Sequence, residues 1–286
     1  MFGKKIAILA VLCYTARMID ISRCVTTTQE QQIHAPHCHN AYEIIYCLSA
    51  GKNRMTIEGE HFFMHAGRLY LSKERQYHYV EPDKTTPYHR YILNFATEDC
   101  DLPPEDLQRV FSSPVKNARA QKEVGALMEK MIVERHGDSP RREIMQRSLL
   151  NQLLYQIAEL KADESGEISP LVSRTVEYIN ANLEEDLSLD RLADALYNDK
   201  FYLCHTFREV MGTSVSQYVQ RKRVITAQNL IRSGMRPTLA AEKVGYSDYS
   251  TFYRAYRKIL GRSPARETRR PRRQRNLLDA EHLGID

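Results

Sequence analysis

Hydrophobic and polar positions change their period along this chain. Between residues 33 and 95 the apolar residues fall in short runs rich in aromatic and β-branched side chains: YEIIYCL (42–48), NRMTIEG (53–59), HFFMHAG (61–67), RLYLS (68–72), YHYV (77–80) and HRYILNF (89–95). Gly51, Gly59, Gly67, Pro82 and Pro87 separate them. Short β-prone runs divided by turn residues predict strands, and this many at close spacing predict a small barrel or sandwich. After Pro103 and Pro104 the apolar residues recur every three or four positions, the helical period, in EDLQRVF (105–111), KEVGALMEKMIVERH (122–136) and RREIMQRSLLNQLLYQIAELK (141–161). In the last of these, Leu149, Leu150, Leu153, Leu154 and Ile157 form a broad stripe, which suits packing against the chain's own barrel and a dimer interface equally well. The acidic, proline-closed ADESGEISP (162–170) reads as a linker, and from 171 to 268 the pattern is helical throughout.

The last stretch repeats itself. SLDRLADAL (188–196) opens on Ser188 as an N-cap and puts Leu189, Leu192, Ala193 and Leu196 on one face. The turn YND follows, Asp199 is placed to cap the next helix, and that helix, Lys200 to Val210, buries Leu203 and Phe207 and stops before Gly212. Two short helices, a tight turn and a small Ala at the crossing describe a helix-turn-helix. LAAEKVGY (239–246), SDYS and STFYRAYRKIL (250–260) repeat the plan, with Ala240, Ala241 and Val244 inward and Phe252 and Tyr256 buried. Without a gap, 200–214 aligns with 249–263: Arg208 with Arg257, Gly212 with Gly261, Ser214 with Ser263. SVSQYVQRKRVITAQNLIRSG (214–234) joins the units as one long helix, facing inward through Tyr218, Val219, Val224, Ala227, Leu230 and Ile231.

Charge adds a direction to this picture. From residue 170 onward there are 20 Lys and Arg against 14 Asp and Glu, and before it 21 against 22. The excess sits wholly in the helical repeat and its basic end, RETRRPRRQR (266–275), which favours a polyanion as partner. Six scattered cysteines without a Cys-x-x-Cys pair exclude a zinc ribbon and a dense disulfide framework, and reduced thiols in a cytoplasm are expected. The apolar run Ile6 to Tyr14 is too short to span a bilayer. Two lysines precede it, as in a secretory signal, but no Ala-x-Ala site follows, so a leading strand or an extension outside the fold is expected there.

Residues 173–268 resemble the DNA-binding domain of AraC-type (AraC/XylS) transcription regulators, and GYSDYSTFYRAYRKILGRSP (245–264) closely follows that family's signature. Two departures stand out. Tyr197 replaces the usual Gly in the first turn, and Pro237 and Ala240 stand where larger aliphatics are usual, which predicts a short or loosely packed first helix in the second unit. The resemblance implies that the second helix of each unit enters the major groove of promoter DNA, in two grooves about 34 Å apart. The faces implied to meet bases are Phe201, Cys204 and His205 in the first copy, and Tyr249, Ser250, Tyr253 and Arg254 in the second. Arg254 suits a guanine edge, His205 an acceptor, and Phe201 and Tyr253 thymine methyls. Arg208, Arg257 and Lys258, towards the helix ends, suit phosphates.

In the N-terminal part, HAPHCHNAYEIIYCLSAG (34–51) holds His37, His39 and Glu43. His-x-His with Glu four residues on has the spacing of the first metal motif of cupin barrels, on a strand these positions share a face, and His78 is placed to join them. The same stretch resembles the sensor of AraC-type regulators, which binds a small effector, often a sugar, generally without chemistry. His37, His39, Glu43, Arg54 and His78, with Tyr91 beside them, are the candidate pocket residues. That resemblance takes precedence, so no metal or other cofactor is expected; His37, His39 and Glu43 are the residues that would hold a metal. No Gly-rich phosphate loop, nucleophile elbow or metal-binding helix pair occurs, and no enzyme is expected.

The expected protein is a two-domain α+β chain. A small antiparallel, cupin-like β-barrel with helices after it precedes an all-α domain of two helix-turn-helix units joined by a long helix. The divisions expected are an N-terminal segment (1–32), the effector barrel (33–100), a helical dimerisation or relay segment (101–162), a linker (163–172), the DNA-binding domain (173–268) and a basic tail (269–286). The function implied is effector-controlled, sequence-specific binding to double-stranded promoter DNA, by a cytoplasmic homodimer with RNA polymerase as a further partner and no membrane. The alternative is a metal-dependent cupin enzyme with a DNA-binding appendage.

Overall fold

The computed structural model describes residues 19–26, 36–81, 83, 87–136, 141–163 and 166–267. The apolar run at 6–14 and the basic tail (269–286) lie outside them. The strands are β1 (Asp20–Thr26), β2 (Tyr42–Ser49), β3 (Arg54–Ile57), β4 (Glu60–Phe63), β5 (Arg68–Ser72), β6 (His78–Glu81), β7 (Tyr88–Phe95), β8 (Val115–Asn117) and β9 (Glu167–Ile168). They form two antiparallel sheets rather than one closed barrel, in the orders β1-β7-β2-β5-β8 and β6-β3-β4-β9. Three strands fall outside 33–100: β1 precedes that interval, and β8 and β9 follow it.

Alternation gives the larger sheet two buried faces. Ile44, Leu69, Leu71, Leu93 and Phe95 turn to one side, while Ile45, Cys47, Tyr70 and Tyr88 turn to the other and meet Met55, Ile57, Phe62 and Val80 of the smaller sheet. This is why YEIIYCL is apolar almost without interruption. The first face is covered by α1 (Pro104–Val110), α2 (Lys122–His136) and α3 (Arg142–Ala158). The stripe Leu149, Leu150, Leu153, Leu154 and Ile157 is buried there, each side chain contributing about 1.5–3 kcal/mol of apolar burial. Lys116 of β8 is buried beneath this layer, and its ammonium donates to the Arg109 carbonyl at 3.0 Å and the Ile157 carbonyl at 2.9 Å, near the C-terminal ends of α1 and α3. The segment expected as a linker is tied down: Ala162 bridges Lys116, and β9 pairs with β4.

The helices of the repeat are α4 (Pro170–Ala181), α5 (Leu189–Ala195), α6 (Lys200–Met211), α7 (Val215–Arg232), α8 (Pro237–Lys243) and α9 (Tyr249–Leu260). The chain gathers into two compact units that divide inside α7. One runs to Asn182 and takes in Leu187–Lys222; the other holds Leu183–Asp186 and the chain from Arg223. The first unit therefore contains both sheets, their helices and the first helix-turn-helix.

Contacts inside that first unit converge on one turn. Glu58 and Gly59 join β3 to β4 with φ of 49° and 90°, a two-residue hairpin turn in the left-handed region. At Gly59 a Cβ would come within 2.9 Å of Val172 and 3.2 Å of the Met211 sulfur, so only glycine lets α4 and α6 approach this closely. The Glu58 carboxylate accepts from the Tyr77 backbone N–H (2.8 Å), the Tyr218 hydroxyl (2.6 Å) and the Lys222 ammonium (3.2 Å). Lys222, buried, also donates to the Arg75 carbonyl at 2.7 Å. The Tyr79 hydroxyl donates to the Val210 carbonyl of α6 at 3.1 Å. Removing one charge of so covered a pair strands the other. Glu58→Gln should therefore lower unfolding stability by about 2–4 kcal/mol, and adding Lys222→Met should restore part of the loss. Urea melts of the full chain measure both, and a Glu58→Gln chain as stable as the parent would show that the pair contributes nothing.

Candidate nucleic-acid interface and histidine cluster

The two helix-turn-helix units are built alike. In α6 the Asp199 carboxylate caps the N-terminus by accepting from the Tyr202 N–H at 2.9 Å. In α9 Asp248 accepts from the Thr251 hydroxyl (2.7 Å) and from the N–H groups of Thr251 (2.7 Å) and Ser250 (3.2 Å), and these bonds, the hydroxyl's first, hold its carboxyl below the usual range. Each helix has 12 residues and ends on a left-handed glycine, Gly212 or Gly261. Leu203 and Phe207 are buried in one, Phe252 and Tyr256 in the other. The preceding helices, α5 and α8, both have seven residues, and Ala240 and Ala241 are fully covered. So α8 is short, as Pro237 predicts, but no shorter than α5.

The turns differ in one residue type. After α5 the Asn198 N–H returns to the Ala193 carbonyl and the Tyr197 N–H to Asp194. After α8 the Tyr246 N–H returns to Ala241 and the Gly245 N–H to Glu242. Both are Schellman stops, which need a left-handed residue: Gly245 has φ of 81°, and Tyr197 adopts 51° despite its side chain. Tyr197 is 96% exposed, so packing does not compensate that strain.

With the buried face fixed, the other face is determined. Phe201, His205 and Arg208 on α6 and Tyr249, Ser250, Arg254, Arg257 and Lys258 on α9 are exposed, while Cys204 and Tyr253 are half-buried. His205 lies 3.8 Å from Glu209, and the Arg254 guanidinium donates to the Thr251 hydroxyl at 3.2 Å. Phe201 is 82% exposed, an unusual position for a phenyl ring unless something covers it. Tyr197 and the exposed Tyr202 extend this aromatic surface. The sequence pattern carries no signal for Tyr202, and for Tyr197 only that a Tyr stands where the turn wants Gly.

The candidate pocket residues separate into a cluster and two outliers. His37 and His78 exchange backbone hydrogen bonds (3.2 and 2.9 Å). Ring centroids of His37, His39 and His78 lie 4.5–5.8 Å apart. Glu43 faces both later histidines: Oε2 is 3.4 Å from His39 Nε2, and Oε1 is 3.3 Å from His78 Nε2. Burial pushes the Glu43 carboxyl up, but His78 and His39 outweigh it and hold the group well below the carboxylate range. Burial pulls His78 down, and Glu43 outweighs that, so the imidazole is raised. Arg54 is drawn away, with its guanidinium on Glu81 across the β3–β6 pair. Tyr91 turns to the opposite face of its sheet, where it donates to Glu129 of α2 and stacks on Tyr46. Neither outlier was separable by alternation alone, because each is placed by a partner remote in sequence.

An antiparallel β-fold followed by two matched helix-turn-helix units fits a DNA-binding regulator that carries a ligand-binding domain. Residues 22–157 match the AraC-like ligand binding domain, and residues 192–270 match a helix-turn-helix domain. These cover most of the chain in that order, and the chain belongs to the AraC family of transcription regulators. It is 31% identical over 99 residues to the bifunctional transcriptional activator/DNA repair enzyme AdaA of Bacillus subtilis, covering 34% of this chain and 47% of AdaA. The chain thus spans about half of that relative's length. It is 27% identical over 96 residues to the regulatory protein SoxS of Salmonella typhimurium (33% of this chain, 90% of SoxS). Over 219 residues it is 22% identical to the HTH-type transcriptional regulator YbfI of Bacillus subtilis (75% of this chain, 79% of YbfI). No helix among the described residues is long and apolar enough to cross a membrane.

Tyr197→Gly tests the strained turn. Relief of the left-handed penalty exceeds the extra unfolded-chain entropy of glycine, so the variant should gain about 0.5–1 kcal/mol in a thermal or urea melt. A loss of stability would mean that the tyrosine ring, despite its exposure, supports the turn.

Proposed function

We propose that the chain is a sequence-specific DNA-binding transcription regulator whose N-terminal fold takes a small polar effector. The observation that carries this is the pair α6 and α9. They share Asp caps, glycine stops and buried positions, yet differ on their other faces, Cys204 and His205 against Tyr253 and Arg254. Identical buried positions preserve a fold twice, and different exposed ones let each copy read its own part of an asymmetric site. The basic C-terminal half supports a polyanionic partner.

In this reading Phe201, Cys204, His205, Tyr249, Ser250, Tyr253 and Arg254 meet base edges, and Arg208, Arg257 and Lys258 meet phosphates. Tyr197 and Tyr202 join the first group as apolar contacts. His37, His39, Glu43 and His78 are the effector-facing residues, and a sugar is the effector class that the family resemblance brings with it. Two copies acting on paired sites, in contact with RNA polymerase, complete the picture. An effector acts only through a difference in its affinity for two arrangements of the protein.

Selection of the full chain against a random duplex pool should enrich one asymmetric motif, with binding that weakens steeply as salt rises. Enrichment of no sequence would overturn the proposal. Against the enriched motif, Arg254→Ala should cost about 1–3 kcal/mol and relax preference at one base position, whereas Lys258→Ala should weaken all sequences alike. Fluorescence anisotropy on the motif and its single-base variants separates the two.

A further inference from the structure

The geometry points to the His37, His39, His78 and Glu43 cluster as a binding site for one divalent transition-metal ion, whose occupancy biases the first helix-turn-helix. This rests on the reading of the N-terminal fold as the effector domain, and puts an ion where the family resemblance would put a sugar. One ring nitrogen from each histidine lies within 4.8 Å of the other two, a spacing that a single ion can bridge. The edges involving Glu43 are 3.3 and 3.4 Å. Ligand atoms around a tetrahedral ion with bonds of about 2.0–2.1 Å stand about 3.3 Å apart. A direct charge-assisted hydrogen bond would close to about 2.7–2.9 Å, and His78 Nε2 stands wider than that from Glu43, at 3.3 Å.

The surroundings are those of a metal-ligating histidine. His78 Nδ1 is 2.9 Å from the Gln76 carbonyl, which holds a proton on that nitrogen and turns Nε2 towards Glu43. A buried imidazole nitrogen and a carboxylate face each other only with a cation between them, a second proton on the ring or a metal ion. Further unmet groups border the same space. Glu43 stands opposite Ser72 and Asn94 in its sheet, and Ser72 Oγ, Asn94 Oδ1 and His39 Nδ1 are all buried without a hydrogen-bond partner. His37 and His39 are half-buried, which leaves a way in. Cys38 lies between two of these histidines in sequence, but its sulfur is not among the converging atoms. Three imidazoles and a carboxylate suit Zn²⁺, Ni²⁺, Co²⁺ or Fe²⁺.

The residues beside the ligands in sequence touch the first helix-turn-helix. Pro36 lies against Gly212, the stop of α6; the ring of Tyr77 packs on Tyr218 of α7 at 5.0 Å; and Tyr79 bonds to Val210. The His39 carbonyl accepts from the Arg75 N–H, and the Arg75 carbonyl accepts from Lys222. Drawing the histidines onto an ion moves the segments that hold α6.

The test uses untagged full-length protein stripped by a chelator. Titration with Co²⁺ should produce d–d absorption bands that saturate at one equivalent per chain, and Zn²⁺ should displace it. His39→Ala should abolish the bands, and Glu43→Gln should weaken binding about 10–100-fold. The parent chain's spectrum decides the matter even if a variant fails to fold: no bands, or bands unchanged in both variants, overturn the site. DNA affinity with and without Zn²⁺ should differ about fivefold or more, and equal affinities overturn the coupling. Sequence-specific binding by the metal-free chain is scored separately, so loss of the regulator reading and loss of the metal site give different results.

Discussion

The Glu58 carboxylate is the point on which the larger unit depends. It is held in a left-handed turn that a glutamate would not choose, and it is kept there by three donors from three parts of the chain: Tyr77, Tyr218 and Lys222. Strain of this kind persists only where surrounding contacts over-determine it. The consequence is that the first helix-turn-helix is not an independent appendage. Its stop glycine, the carbonyl of Val210 and the start of α7 are fastened to the β-fold, and the boundary between compact units falls inside α7 rather than at the expected linker.

That boundary gives the repeat a functional asymmetry. The two copies share caps, lengths and buried residues, yet one belongs to the unit that contains the histidine cluster and the other does not. The second copy carries Tyr249, Tyr253, Arg254, Arg257 and Lys258 on one exposed or half-exposed face. The first carries an aromatic surface of Tyr197, Phe201 and Tyr202 with fewer cations. A strongly cationic helix supplies affinity through phosphates, which do not read sequence. An apolar one adds little until its fit to base edges is good. The copy fastened to the sensor is thus the one whose contribution depends most on exact placement.

The repeat was legible in the sequence because its determinants are local. An Asp before a helical period and a Gly after it mark both reading helices within 15 residues, and capping and glycine stops are read from neighbours. The histidine cluster was half legible: alternation brings His37, His39 and Glu43 to one face, and His78 arrives through pairing at His37. Arg54 and Tyr91 stand apart from the cluster for the converse reason, since Glu81 and Glu129 claim them across strands and layers. The short β8 and β9 carry too few residues for a period to show. The fastening of α6 and α7 was not legible at all. Its bonds join residues 131 to 164 positions apart, and no local pattern announces them.

These long-range bonds also decide how a ligand can matter. A ligand shifts an equilibrium only by what it gains in one arrangement over another. The histidine cluster and the fastening share one stretch of chain: His78 follows Tyr77 and precedes Tyr79, and His37 follows Pro36. Occupying the cluster changes the positions of His37 and His78 relative to Glu43, and the neighbouring side chains that touch α6 and α7 must follow or let go. In a packed interior such adjustments are not absorbed gradually, because displacing a ring or a buried carboxylate by a fraction of an ångström already forfeits its contacts. Glu58 sits in that same packing, where its three donors join Tyr77 of the β-fold to Tyr218 and Lys222 of α7. In the proposed regulator a ligand's differential affinity would have to exceed the cost of parting them.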